Sequence, residues 1–248
     1  DLDALRMANV FASTDQGKTW KRRGGVEFPE TQFDEHMIVE RRDGSLWLLA
    51  RTRQSMSESF SYDQGASWSQ PRPAKILNPS ARFFIRRLAS GNLLLVKNGP
   101  VAERLQMRSN MTAFLSTDDG RTWPPQLLLA PRATVSYPDG FQAPDGMIHI
   151  LYDWNRHTDA EILLARFREE DILAGKFVSA GARPRMLVNK AYSPVVPPAI
   201  RPAPKWTEQA ARDAKQDFSS IPYDGVSPNK LVCDTTLRLL PDGSWALF

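Results

Sequence analysis

Short apolar runs broken by tight polar turns dominate the chain. Four stretches read as strand, turn, strand: "MIVERRDGSLWLLAR" (37–51), "FFIRRLASGNLLLVK" (83–97), "GFQAPDGMIHILYDW" (140–154) and "TTLRLLPDGSWALF" (235–248). Each pivots on a pair suited to a hairpin turn, Asp43-Gly44, Ser90-Gly91, Asp145-Gly146 and Asp242-Gly243, because glycine tolerates the positive φ that such turns demand. The pairs recur 47, 55 and 97 residues apart, the last gap being about two periods. An all-strand repeat near fifty residues predicts propeller blades.

A second repeat lies between these hairpins: "STDQGKTW" (13–20), "SYDQGASW" (61–68) and "STDDGRTW" (116–123). Asp15, Asp63 and Asp118 can accept hydrogen bonds from nearby backbone N–H groups. Gly17, Gly65 and Gly120 supply the unusual backbone angle, and Trp20, Trp68 and Trp123 can pack across the hairpin. These boxes predict how the chain folds rather than what it does. Helical signal is sparse: "EILLARF" (161–167) reads as a strand and "REEDILAG" (168–175) as one helical turn stopped by glycine. The expected organisation is blades over 1–191, a proline-rich linker or cover over 192–229 containing "SPVVPPAIRPAP", and the start of a further blade over 230–248.

Composition narrows the function classes. Of the 248 residues, 42% are hydrophobic, enough for a substantial core. The 32 basic and 28 acidic residues are interspersed, so the net charge of +4 favours anionic small ligands over nucleic acid. No apolar run approaches the ~20 residues of a membrane helix. The single cysteine, Cys233, makes no internal disulfide. "DLDALRMANV" lacks a signal-peptide layout and opens without Met, so the compartment stays open. Three histidines without ligand spacing give no metal site, His149 reading as core and His157 as solvated loop. There is no phosphate loop or serine elbow either, and no cofactor is expected.

Three boxes on a blade-length repeat resemble the sialidase (neuraminidase) superfamily, and the order of other residues sharpens the resemblance over roughly residues 13–167. Glu35 precedes a hairpin and Arg51 follows it sixteen positions on; Arg108 lies just upstream of a box strand in "RSNMTAFLSTDDG"; Tyr137 stands eight residues before Asp145-Gly146. The resemblance implies an all-β, six-bladed propeller of sialidase type, incomplete in this chain, with a further segment or second chain to complete it. It also implies an exo-glycosidase releasing a terminal acidic sugar with retention, Tyr137 as nucleophile and Glu35 as its base. An anomeric carboxylate repels an acidic nucleophile, and a phenol, ionising near ~10, needs a base at neutral pH. Arg51 and Arg108 would fork the substrate carboxylate, with Arg82 in "NPSARFFIRRL" as a third candidate. Two departures stand out: residues 1–12 hold no counterpart of the family's first arginine or its acid Asp, and Pro138 follows Tyr137 where a small residue is usual. Two other readings remain open, a non-catalytic propeller that binds glycan or protein, and a hydrolase or lyase for another 2-keto or uronic acid sugar.

Overall fold

The computed structural model describes residues 7–29, 31, 35–191, 237–239 and 245–247. One compact unit comprises residues 1–13 and 20–191, a second 14–19 and 192–248. In the first, β1 (Ala8–Ala12) pairs with β2 (Lys21–Val26). A four-stranded antiparallel sheet follows, β3 (His36–Glu40), β4 (Leu46–Arg51), β5 (Met56–Ser61) and β6 (Arg72–Pro73), in chain order. The next repeats the plan with β7 (Phe84–Arg87), β8 (Leu93–Asn98), β9 (Ser109–Ser116) and β10 (Gln126–Ala133). The third has β11 (Val135–Gln142), β12 (Ile148–Trp154), β13 (Glu161–Phe167), the helical turn α1 (Glu169–Ala174) and β14 (Arg183–Lys190). In the second unit, β15 (Leu237–Leu239) pairs antiparallel with β16 (Trp245–Leu247). Meandering four-stranded sheets at a fifty-residue period are propeller blades, and the architecture is nearly all β. The ring they belong to is not closed by the described residues.

The continuous apolar runs have a packing reason. Leu48 and Ala50 face β1 and β2 with Val10, Val26 and Phe28, whereas Trp47 and Leu49 on the same strand pack with Ile85, Leu93 and Leu95 of the next sheet. Leu94 and Val96 turn the other way, toward Ile148, Ile150 and Tyr152. Both faces of β4 and β8 are thus buried, which is why "LWLLA" and "LLLV" lack the polar alternation of a half-solvated strand.

The hairpin turns form where the glycines are: Gly44, Gly91 and Gly146 have φ of 81°, 84° and 84°. Asp242-Gly243, the 192–229 segment and Cys233 lie outside the described residues. In the Ser-Asp-Gly-Trp stretches, Asp118 accepts from Thr122 N, Thr122 Oγ1 and Ser116 Oγ at 2.8, 2.6 and 2.7 Å, and Asp63 repeats the pattern with Ser67 and Ser61. Hydrogen bonds led by the Ser67 hydroxyl hold the Asp63 carboxyl down at about 2. Burial pushes the Asp118 carboxyl up, but Thr122 and Ser116 outweigh it and hold it at about 2. Of the three tryptophans, Trp123 is buried, Trp68 packs at the edge of a core cluster, and Trp20 is 43% exposed.

Arginines tie the sheets laterally. Arg42 donates to Thr117 O and Gly91 O at 2.9 and 3.0 Å, and Arg87 to Glu40 O and the Asp119 carboxylate. "REEDILAG" forms α1 as its pattern implies: Asp171 accepts from Arg168 N at 2.7 Å, and Gly175 ends the turn with φ 66°. Among the described residues no helix is long and apolar enough to cross a membrane.

Candidate active site

The sixteen-residue spacing of Glu35 and Arg51 is a consequence of strand register. His36 pairs with Ala50, and Arg51 N donates to Glu35 O at 3.0 Å, so the hairpin sets the two side chains opposite one another. Arg51 Nη1 contacts both Glu35 carboxylate oxygens, at 2.9 and 2.8 Å. The side chains are only 5% and 7% exposed, so this is a buried ion pair. The remaining Arg51 donors reach the link between β6 and β7, with Nη2 on Ser80 O at 2.9 Å and Nε on Ser80 Oγ at 3.4 Å.

Tyr137 comes to this pair from another sheet. The β11–β12 register shifts between Ser136 and Asp139, and Tyr137 sits in that irregularity with φ 54°. A non-glycine side chain rarely takes that backbone conformation, and departures of this kind concentrate at functional sites. Its hydroxyl donates to Glu35 Oε1 at 2.8 Å, joining residues 102 apart in sequence. One carboxylate therefore faces a phenol and a guanidinium together.

Arg108, immediately before β9, donates to Ser80 O at 3.0 Å and approaches Ser136 Oγ at 3.5 Å, with its guanidinium 5.8 Å from the Tyr137 ring centroid. Burial first, then the Arg51 charge, lowers its pKa; Tyr137 opposes, Arg156 adds to the lowering, and Glu35 opposes. Glu35, Arg51, Arg108 and Tyr137 are thus one contiguous group. Arg82 does not join it among the described contacts, since its Nη2 pairs with Asp139 at 2.9 Å.

Four residues enter the site without having been singled out in the sequence. Ser80 bridges Arg51 and Arg108 through its carbonyl. Ser136 donates to Asp153 Oδ1 at 2.7 Å and accepts from Arg156 at 3.1 Å. Asp153 pairs with Arg156, whose guanidinium lies 4.4 Å from the Tyr137 ring centroid. The available signal was the register Ser136↔Asp153, which brings the "DWNR" turn to the same end of the hairpin as Tyr137. Tyr137, Asp153, Arg156, Ala160, Glu161 and Ile162 line a cavity of about 420 Å³. A larger groove, about 750 Å³, runs along Trp47, Phe60, Arg72 and Trp123 and shares no lining residue with it. The groove's Glu58 is engaged by Trp47 Nε1 and Arg72 Nε. His149 is half-buried and stacks on Phe141 at 4.9 Å, burial and then Arg166 lowering its pKa.

Blades of this plan, with a tyrosine, a glutamate and arginines gathered at one end, define a β-propeller of sialidase type. The BNR repeat-like domain model matches residues 4–150, and the chain belongs to that family. Solved structures with this fold include the NanB sialidase of Streptococcus pneumoniae (TM-score 0.53, 20% identity, covering 66% of this chain and 28% of that one). The leech intramolecular trans-sialidase (0.51, 22%, 66% and 28%) and the intramolecular trans-sialidase of Ruminococcus gnavus (0.50, 20%, 68% and 39%) are similar to the same extent. The chain therefore spans well under half the length of each. No curated protein matches the sequence.

Proposed function

We propose that this chain carries the nucleophile half of a glycoside hydrolase site that acts on a terminal acidic sugar with retention of configuration. The observation behind this reading is the hydrogen bond from Tyr137 to Glu35, with Arg51 on the same carboxylate. In the first step the Tyr137 oxygen bonds to the anomeric carbon as the bond to the leaving oxygen breaks, and the phenolic proton passes to Glu35. In the second, Glu35 returns that proton to the tyrosine oxygen as its bond to the anomeric carbon breaks, while water bonds to the same carbon and releases its own proton to solvent, matching the proton taken up by the departed leaving oxygen. Two displacements at one carbon retain its configuration. Arg51, whose donors are spent on Glu35 and Ser80, fixes the base and adds positive charge behind it. Arg108 is the fork for the substrate carboxylate, a group that also explains a phenol in place of an acidic nucleophile.

The test uses an aryl sialoside, whose leaving group departs without needing a protonated acid. Tyr137→Phe is expected to abolish aryl release while leaving affinity for 2,3-unsaturated sialic acid within about twofold of the parent. Turnover unchanged by the substitution removes Tyr137 from the mechanism. Saturable binding with no turnover in the parent chain identifies a glycan-binding propeller instead.

A further inference from the structure

Charge is out of balance around Tyr137. Three guanidinium groups gather there, those of Arg51 and Arg156 each acting on that of Arg108, and Arg51 and Arg156 bring the carboxylates of Glu35 and Asp153. Glu161 lines the same cavity and pairs with Lys190, so four cations stand against three anions, partly out of water, a costly arrangement that a bound anion relieves.

The three arginines differ in what they have left to offer. Arg51 is buried and turned toward Glu35 and Ser80. Arg108 gives one arm to the Ser80 carbonyl and the other, at a long 3.5 Å, to Ser136. Arg156 is 39% exposed at its side chain, and its polar contacts among the described residues, to Asp153 and Ser136, both run through Nη2. Its Nε and Nη1 donors remain, on a guanidinium that flanks the Tyr137 ring and lines the 420 Å³ cavity together with that residue. Asp153 and Ser136 hold the group from one side, so it is oriented without being used up.

From these contacts we infer that Arg156 is a ligand-binding residue of this site, presenting its free Nε and Nη1 donors to an anionic group of the ligand in the cavity beside Tyr137. The inference deepens the acidic-sugar reading and rests on it for the kind of ligand, but nothing in the sialidase resemblance assigns Arg156 a role. The donors fit that ligand class: a carboxylate or comparable oxyanion, which a planar fork contacts through two parallel N–H groups. A neutral sugar would leave the excess positive charge uncompensated.

The experiment is a calorimetric titration at low ionic strength of the 248-residue chain and its Arg156→Gln and Arg156→Lys variants. Two probes are used, 2,3-unsaturated sialic acid and inorganic sulfate. Losing a charge-assisted hydrogen-bonded pair corresponds to about tenfold or more in affinity, so Arg156→Gln is expected to weaken a probe that the parent binds at least about tenfold. Arg156→Lys keeps the charge without the fork and should fall between the two. Thermal melts of both variants should match the parent, because the side chain is partly exposed and its pair with Asp153 contributes little to folding. Sulfate bound in an Arg156-dependent way, with no binding of the sialic acid analogue, upholds the inference and refutes the sialic acid reading. Analogue affinity unchanged by Arg156→Gln upholds that reading and overturns the inference. Neither probe binding the parent chain at millimolar concentration also overturns it, as does a drop in melting temperature that matches the loss of affinity.

Discussion

Glu35→Gln isolates the charge of the buried pair, because glutamine keeps an oxygen for the Tyr137 hydroxyl and nearly the same volume. What it removes is the anion in contact with Arg51, at a site where the two side chains are 5% and 7% exposed. An exposed pair would be worth under about 1 kcal/mol. Here a guanidinium is left in low dielectric with Arg108 as a like-charged neighbour, and stranding a buried charge costs about 3–5 kcal/mol. For a chain of this size that is a fall in Tm of roughly 10 °C. Urea denaturation followed by tryptophan fluorescence measures the loss directly, provided m is unchanged. Replacing both partners, Glu35→Gln with Arg51→Met, removes the stranded charge and should recover at least about 2 kcal/mol relative to the sum of the single losses. A Glu35→Gln loss under about 1 kcal/mol, or strict additivity in the double variant, would refute the view that this pair is desolvated and mutually dependent.

Two further expectations concern the frame around the site. Lys97 is fully buried, with Nζ donating to Asn98 O, Gly99 O and Pro100 O at 2.6, 2.8 and 2.6 Å, and burial pushes its ammonium down to about 7, against an opposing pull from Glu103. Below that pH the folded state carries the full cost of the buried charge; between about 7 and the ordinary lysine value of 10.5 the unfolded chain keeps a proton that the folded chain has released. Stability should therefore rise with pH across that window, and urea midpoints at pH 7 and 9 should differ less in Lys97→Met than in the parent. Gly140→Ala would push a Cβ to 1.9 Å from His149 O in the β11–β12 pair that carries Tyr137, so it should cost at least about 2 kcal/mol. Gly44→Ala, where nothing lies within 4 Å and the cost is only that of φ +81°, should cost about 1 kcal/mol, and equal melts for the two variants would contradict the clash.

Why some of this was readable in the sequence and some was not is a question of range. The hairpins were legible because an Asp-Gly or Ser-Gly turn is a local constraint, and the glycines do carry the positive φ. Glu35 and Arg51 were singled out by their positions on either side of a hairpin, as a base and a carboxylate fork; that antiparallel register turns their spacing into an ion pair is seen only in the fold. Lys97 was not: at the end of "LLLVK" it reads as the polar close of a strand, yet the turn after β8 folds three carbonyls over its amine. Arg156 was missed for a related reason, since "NRHTD" looks like solvated loop and only the Ser136↔Asp153 pairing carries it to Tyr137. Tyr137 is intermediate: its order in the chain pointed to it, but the backbone irregularity and positive φ that accompany its reach to Glu35 are invisible in "SYPDG". Residues that meet within a hairpin leave a spacing to read, whereas those that meet across blades, as Arg108 and Arg51 do on the Ser80 carbonyl, leave none. The charge at this site is assembled across blades, so the repulsion that Arg51 and Arg156 exert on Arg108 is a property of the folded chain alone and is written in no single segment.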